Sequence, residues 1–278
     1  MRKGTIIKTD ISTIAIGGFD GMHLAHQQLF KYLPKKTGAI VVIKTNFESL
    51  TPSYFRKHYT ALPIYLFALD KIKHLSPKDF IALLYKKFPN LKKIIVGYDF
   101  HFGYQAQANS LKLKELFKGE VIIVKEFSIN NTPVHSTLIR KYLQNGDITL
   151  ANKFLGHIYM IKGKHIKGQG LGKKEFVPTI NISVKKFLLP QEGVYLTKTI
   201  INNIEYNSIS FLGYRETTDN KYAIETHILD SFTISTFNNV YIKFYQKIRG
   251  NKKFDNFTIL KQQISNDIKT ALILHSKQ

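Results

Sequence analysis

The stretch Ile11-Ser12-Thr13-Ile14-Ala15-Ile16-Gly17-Gly18-Phe19-Asp20-Gly21-Met22-His23-Leu24-Ala25-His26 decides the fold. Its first seven residues are mostly apolar and β-branched, as a buried strand requires. Glycines follow, and from His23 to residue 33 the apolar spacing suits a helix. Glycines let the chain turn tightly and approach a ligand closely, and the free N–H groups at a helix start attract anions. Gly18, Phe19, Asp20 and Gly21 therefore read as a phosphate-binding turn. His23 and His26 are three apart and share one face of the helix at its positive end. Two imidazoles there can donate hydrogen bonds to charge developing on an α-phosphate. Without the glycines, the aspartate and the strand–turn–helix context, the pair would read instead as two surface histidines on a Gly-rich turn.

Outward from this unit, residues 1–150 alternate apolar runs with amphipathic stretches, as βαβ units do. Strands are expected at 39–45, 93–97 and 120–125, and helices at 64–75, 76–85, 110–117 and 136–143. Ser76-Pro77 supplies a helix cap and a proline at the first turn. The expected fold class is α/β, an open Rossmann-like parallel sheet. After Gly156 the texture changes to period-2 runs at 193–201, 208–213, 222–229 and 239–245, which read as antiparallel strands. Residues 257–274 return to helical spacing, with Leu260, Ile264, Ile268 and Leu272 on one face. A β-barrel with a terminal helix is expected, and the texture puts a domain boundary near 155–160, giving domains 1–157 and 158–278.

Composition bounds the rest. The 278 residues are enough for two domains, and 44% hydrophobic with 13% aromatic residues excludes a disordered chain. No apolar run approaches the roughly 18 residues that span a bilayer, and residues 1–13 lack the apolar core of a secretory signal. No membrane partner is expected. Cysteine is absent, which removes disulfides, thiolate metal sites and cysteine nucleophiles and suits a reducing cytoplasm. The formal charge of +22 is spread evenly over both halves without long like-charge blocks. It reads as a solvated surface or as attraction to polyanionic ligands such as nucleotides.

Further motifs carry chemistry. Gly97-Tyr98-Asp99-Phe100-His101-Phe102-Gly103 ends an apolar strand, where open α/β sheets bind ligands. Alone, its alternating phenylalanines also fit a core edge. Ser136-Thr137-Leu138-Ile139-Arg140 places hydroxyls and a guanidinium at one helix start, a fit for a triphosphate. Gly168-Gln169-Gly170-Leu171-Gly172-Lys173 could wrap phosphates without Walker A spacing. Thr179 and Asn181, after Pro178, offer the neutral oxygens that complete a Mg²⁺ shell together with nucleotide phosphates. Glu225, inside a β run, is a general base if it faces a pocket and an ordinary strand carboxylate if it faces solvent.

As a set, these residues resemble the bifunctional bacterial riboflavin kinase/FMN adenylyltransferase family, also called FAD synthetase, over nearly the whole chain. The resemblance rests on G-x-F-D-G-x-H-x-x-H from Gly17 to His26, S-T-x-I-R from Ser136 to Arg140, P-T-x-N at Pro178, Thr179 and Asn181, and E-x-H at Glu225 and His227. It implies that the N-terminal domain transfers an adenylyl group. His23 and His26 would stabilise the transfer, Ser136, Thr137 and Arg140 would hold ATP phosphates, and Asp99, Phe100 and Phe102 would face the flavin. It further implies that the second domain is a six-stranded Greek-key barrel that phosphorylates riboflavin. There Gly168, Gly170, Gly172, Lys173, Pro178, Thr179 and Asn181 would bind Mg²⁺ and ATP, Glu225 would activate the ribityl 5′-hydroxyl, and Gly213, Arg215 and Arg249 would hold the flavin. Implied substrates and products are riboflavin, FMN, FAD and ATP, with no nucleic-acid partner and a monomer or weak homo-oligomer.

This sequence departs from the family in places. Gly18 stands where Asn is usual and Ala25 where Gly is usual. Residues 46–51 lack the usual P-H-P element, and residues 175–177 read Glu-Phe-Val for L-G-F. Glu216 replaces a common proline. Two rivals stay in view: a nucleic-acid-binding protein, suggested by the basic pI and the barrel, and a nucleotidyltransferase acting on another phosphate ester, which would leave Thr179, Asn181 and Glu225 without a joint role.

Overall fold

The computed structural model describes residues 8–45, 47–167, 177–217, 219–232 and 236–277. The chain divides into two compact units, Met1–Ser136 and Thr137–Gln278.

In the first unit, β1 (Thr13–Gly17) leads into α1 (Leu24–Phe30), then β2 (Gly38–Lys44), β3 (Ile64–Ala68), α2 (Leu69–Ile72), α3 (Pro77–Lys87) and β4 (Lys93–Gly97). Short strands β5 (His101–Phe102) and β6 (Ala108–Asn109) precede α4 (Ser110–Leu116) and β7 (Glu120–Val124), and the hairpin β8 (Ser128–Ile129), β9 (Thr132–Pro133) ends it. The main sheet has the order β3-β2-β1-β4-β7 with all pairs parallel. Both of its faces are covered. Ile14, Ile16, Val41, Ile94 and Val96 join one core layer, while Ala15, Ile40, Val42 and Ile95 join the other. That two-sided burial explains why these strands read as continuous apolar runs.

The helix expected over 64–75 is a correction. Ile64 to Ala68 pairs in parallel with β2 as an edge strand, and only Leu69–Ile72 is helical. A five-residue run of aromatic and aliphatic side chains fits either state by periodicity, and the open edge of β2 decides it. The Ser76 cap forms as expected, its side chain accepting the Asp79 N–H at 3.2 Å.

Helix α5 (Ser136–Asn145) begins on the last residue of the first unit and continues into the second, where α6 (Ile148–Leu155) follows and Gly156 ends it at φ 72°. Six strands follow: β10 (Tyr159–Ile166), β11 (Ile180–Val184), β12 (Gly193–Ile201), β13 (Ile204–Tyr214), β14 (Tyr222–Ile228) and β15 (Asn239–Gly250). They close into an antiparallel barrel of order β10-β11-β14-β13-β12-β15. The helix α6 and the strands β10 and β11 escaped the sequence reading. The first is only two turns long, and the lysines and Gly163 of β10 blur its alternation. Asn202 and Asn203, at φ 50° and 67°, form the two-residue turn between β12 and β13. Helix α7 (Phe257–His275) packs on the outside of the barrel. Its expected stripe drifts: Leu272 is 49% exposed and Ala271 is buried instead, because a four-residue step over-rotates by about 40° each time. No described helix is long and apolar enough to cross a membrane.

Inside the barrel, five buried hydroxyls close a ring. Thr197 meets Ser208 at 2.9 Å and Ser210 at 2.8 Å, Thr199 meets Ser208 at 2.8 Å and Thr226 at 3.0 Å, and Ser210 donates to Thr226 at 2.9 Å. Thr226 also donates to the Ile209 carbonyl at 3.4 Å, so every hydroxyl of this polar interior has a partner. Replacing Thr199 with the isosteric valine strands a donor and an acceptor in the core. Thr199→Val is expected to lower the stability of the barrel by about 1–3 kcal/mol, read as a shift of the denaturant midpoint.

Candidate active sites

The carboxyl end of β1 builds the first site. Phe19 (φ 45°), Gly21 (φ 85°) and Met22 (φ 49°) all lie in the left-handed region, so the turn is tighter than ordinary residues favour. It is braced from the segment after β2. Thr51 accepts the Gly21 N–H at 2.8 Å, and its own N–H donates to Asp20 Oδ1 at 3.1 Å. Arg56, 4% exposed, donates to the carbonyls of Phe19 (3.0 Å), Gly18 (3.1 Å) and Ser53 (3.2 Å) and sits 3.8 Å from Asp20 Oδ1. Gly18 is exposed, with open space where a Cβ would stand. The turn thus presents bare backbone outward, as a close approach to phosphate requires.

His23 is buried and is the N-cap of α1, its Nδ1 accepting the His26 N–H at 3.4 Å. An accepting Nδ1 leaves the ring proton on Nε2. The His26 ring stacks on His23 with centroids 3.4 Å apart and meets Phe19 edge-on at 5.2 Å. Its Nδ1 is buried without a hydrogen-bond partner among the described residues. Burial, then the neighbouring His23, Arg56 and His135, hold its pKa well below the usual imidazole value. Both rings are therefore hydrogen-bond donors as neutral imidazoles rather than cations. Ser136 joins this turn, donating to the Asp20 carbonyl at 2.8 Å. Thr137 and Arg140 continue the same helix and belong to the second unit.

At the end of β4, Phe100 and Phe102 are 8% and 5% exposed and stack on one another at 5.7 Å within the core. Tyr98, Asp99 and His101 are the exposed residues of that stretch. Tyr98 donates to Glu126 at 2.6 Å, which pushes the phenol up to about 12, and His135 Nε2 lies 3.5 Å from the same carboxylate oxygen.

The second site is a cavity of about 200 Å³ between the outer face of the barrel and α7, lined among others by Thr179, Asn181, Arg215, Glu225, Arg249 and Asp267. Asn181 on β11 stands opposite Glu225 on β14 in the ladder. Thr179 Oγ1 lies 3.5 Å from Glu225 Oε2, and Arg215 donates to Glu225 Oε1 at 3.1 Å. Burial pushes the Glu225 carboxyl above the usual range, and the Arg215 guanidinium pulls the other way. Arg215 is itself gripped by Asp219 through bonds of 3.0 and 2.9 Å. Gly213, at φ 147°, lets the strand pass Glu192, which a Cβ would meet at 2.9 Å. Arg249 forms a near-buried pair with Asp267 of α7, its Nη2 2.8 Å from Oδ2, and Gln263 donates to the same carboxylate at 2.8 Å. Gly168, Gly170, Gly172 and Lys173 lie outside the described residues.

Arg56, Thr51, Asp219 and Asp267 were not legible as site residues. The Phe19 and Gly18 carbonyls that Arg56 holds are 37 and 38 residues away in sequence, so no local pattern announces its place at the turn. Asp267 sat in plain view within a helical stripe, one position from Ile268.

Two family models match the chain, riboflavin kinase over residues 155–274 and FAD synthetase over 64–138. The chain is 32% identical to the bifunctional riboflavin kinase/FMN adenylyltransferase of Buchnera aphidicola subsp. Acyrthosiphon pisum, over 92% of this chain and 91% of that one. It is 31% identical to the protein of that name from Haemophilus influenzae, over 93% and 92%. A crystal structure described as a macrolide-efflux protein from Streptococcus pneumoniae superposes with a TM-score of 0.81 at 26% identity, over 94% and 93%. The chain belongs to the bifunctional riboflavin kinase/FMN adenylyltransferase family.

The buried, neutral His26 has a consequence for pH. In the unfolded chain its imidazole takes up a proton as pH falls through the usual value of 6.5, whereas the folded ring stays neutral. Stability is therefore expected to fall with pH below that point and to be flat above it. Thermal melts between pH 5.5 and 7.5 should show this slope, and His26→Gln should flatten it.

Proposed function

We propose that this chain makes FAD from riboflavin in two ATP-dependent steps, phosphorylation in residues 158–278 and adenylyl transfer in residues 1–157. The observation that carries the reading is Glu225, desolvated on the wall of a cavity, opposite Asn181 and beside Thr179. A carboxylate placed so accepts a proton better than one in water.

In the first step the riboflavin 5′-hydroxyl oxygen attacks the γ-phosphorus of ATP, its proton passes to Glu225, and ADP leaves. Arg215, which shares the Glu225 carboxylate, fixes the direction of that carboxyl group and adds positive charge where phosphate charge builds. Arg249, held by Asp267, and Gly213 shape the flavin side. Thr179 and Asn181 suit Mg²⁺: they are neutral oxygen donors, and no cluster of three acidic or histidine ligands exists among the described residues, so nucleotide phosphates would complete the shell. Bound there, Mg²⁺ neutralises charge on the phosphoryl group. The family pattern adds Gly168, Gly170, Gly172, Lys173 and Pro178 as the flap over the phosphates.

In the second step a phosphate oxygen of FMN attacks the α-phosphorus of another ATP and pyrophosphate leaves. His23 and His26 donate to the developing charge, while the turn Gly18–Gly21 and Ser136 cradle phosphates, a role the family pattern extends to Thr137 and Arg140. Asp99 faces the flavin, with Phe100 and Phe102 backing it from the core. The even positive charge suits anionic small-molecule substrates. We place the reactions in the cytoplasm, on a monomer or weak oligomer that needs no nucleic acid.

The test is incubation with riboflavin, ATP and Mg²⁺, with riboflavin, FMN and FAD separated over time. FMN is expected to rise and then give way to FAD, and no conversion would overturn the reading. Glu225→Gln should lower FMN formation by about 10²-fold or more and leave FAD formation from supplied FMN unchanged. His23→Ala should do the reverse. Chelation of Mg²⁺ should stop phosphorylation, and restoring Mg²⁺ should return it.

A further inference from the structure

Thr51 and the turn after it hold the first site together from one flank. Arg56 lies in the 3-10 turn Ser53–His58 and is 4% exposed. Its guanidinium fork spends its donors on three backbone carbonyls, those of Gly18, Phe19 and Ser53. The Asp20 carboxylate stands 3.8 Å from the same guanidinium, so a planar fork suited to several acceptors at once is held against both backbone and side-chain oxygens of the turn.

The geometry has a direct effect on the turn. Peptide bonds here are trans, so a carbonyl and the N–H of the same peptide point in opposite directions. By drawing the Gly18 and Phe19 carbonyls toward itself, Arg56 turns the N–H groups of Phe19 and Asp20 the opposite way. It also fixes the backbone of Phe19, a residue at φ 45° whose ring touches both His26 at 5.2 Å and Phe30 at 5.1 Å. From the other flank Thr51 holds Gly21 and Asp20.

We propose that Arg56 is the positioning residue of the adenylyl-transfer site: through the Gly18 and Phe19 carbonyls it sets the peptide planes of the phosphate-binding turn. Arg56 does not touch the reacting atoms in this scheme. It acts through the backbone of Gly18 and Phe19. The inference rests on the adenylyl-transfer reading above.

The decisive variant is Arg56→Lys, which keeps the charge and loses the fork. FAD formation is measured from supplied FMN at varied ATP, FMN formation from riboflavin is measured in the same preparation, and thermal melting is followed by circular dichroism. A turn that binds phosphate less well raises KM with little change in kcat, whereas partial loss of folded protein lowers kcat and leaves KM alone. The expected result is a KM for ATP at least about tenfold higher in the second reaction, with riboflavin phosphorylation unchanged. Thr51→Val, which frees the other flank of the turn, should raise the same KM. If Arg56→Lys melts like the wild type and its KM is unaltered, the inference falls while the adenylyl-transfer reading stands. If Arg56→Lys fails to fold, Thr51→Val decides, and an unaltered KM there overturns the inference. A wild-type protein that makes FMN but no FAD overturns the adenylyl-transfer reading and this inference with it.

Discussion

Strand β1 is hydrogen-bonded in parallel to β2 on one side and β4 on the other, and everything in the first unit hangs on that double pairing. A central strand flanked by neighbours reached in opposite directions leaves a crevice at its carboxyl end. The chain must leave the sheet there by a turn too tight for ordinary side chains. Phe19 and Met22 accept left-handed backbone, and Arg56 and Thr51 hold it in place. The buried layers on the two sheet faces then fix where α1 begins, and with it the position of both histidines. The chemistry of this site thus follows from a constraint on backbone pairing more than from any one side chain.

The second unit solves a different problem. Closing six strands removes every free edge, and the barrel fills its interior with rings such as Tyr159, Tyr195 and Phe244 and with hydroxyls. Its cavity lies on the outside, under α7. Strand alternation makes that division sharp: Thr226 faces in and Glu225 faces out. The ion pair between Arg249 and Asp267 ties α7 to the end of β15. One wall of the cavity is therefore a helix and the other a sheet face.

Much of this was legible because local rules agree with the fold. The strand at 93–97, the Ser76 cap, the glycine turn and the four later β runs all appear where periodicity and turn chemistry put them. The P-T-x-N residues and Glu225 could be named from sequence, and Thr179 does stand beside Glu225. What stayed hidden depended on contacts distant in sequence. β3 looks helical until β2 offers it an edge. Arg56 looks like one of several surface cations until the turn around Gly18 folds over it. Phe100 and Phe102 fitted either a ligand wall or a core, and only packing against Phe80 and the rest of that layer puts them in the core. Leu272 shows a smaller failure of the same kind, a repeat counted in whole residues against a helix that turns in fractions.

The hydroxyl ring inside the barrel has a consequence for strand register. Its members come from three neighbouring strands, Thr197 and Thr199 of β12, Ser208 and Ser210 of β13 and Thr226 of β14. A slip of one residue in any of them would swing its hydroxyls outward and bring its outer side chains into the lumen. The ring therefore acts as a lock on pairing, and through β14 it keeps Glu225 on the outer, cavity-lining face.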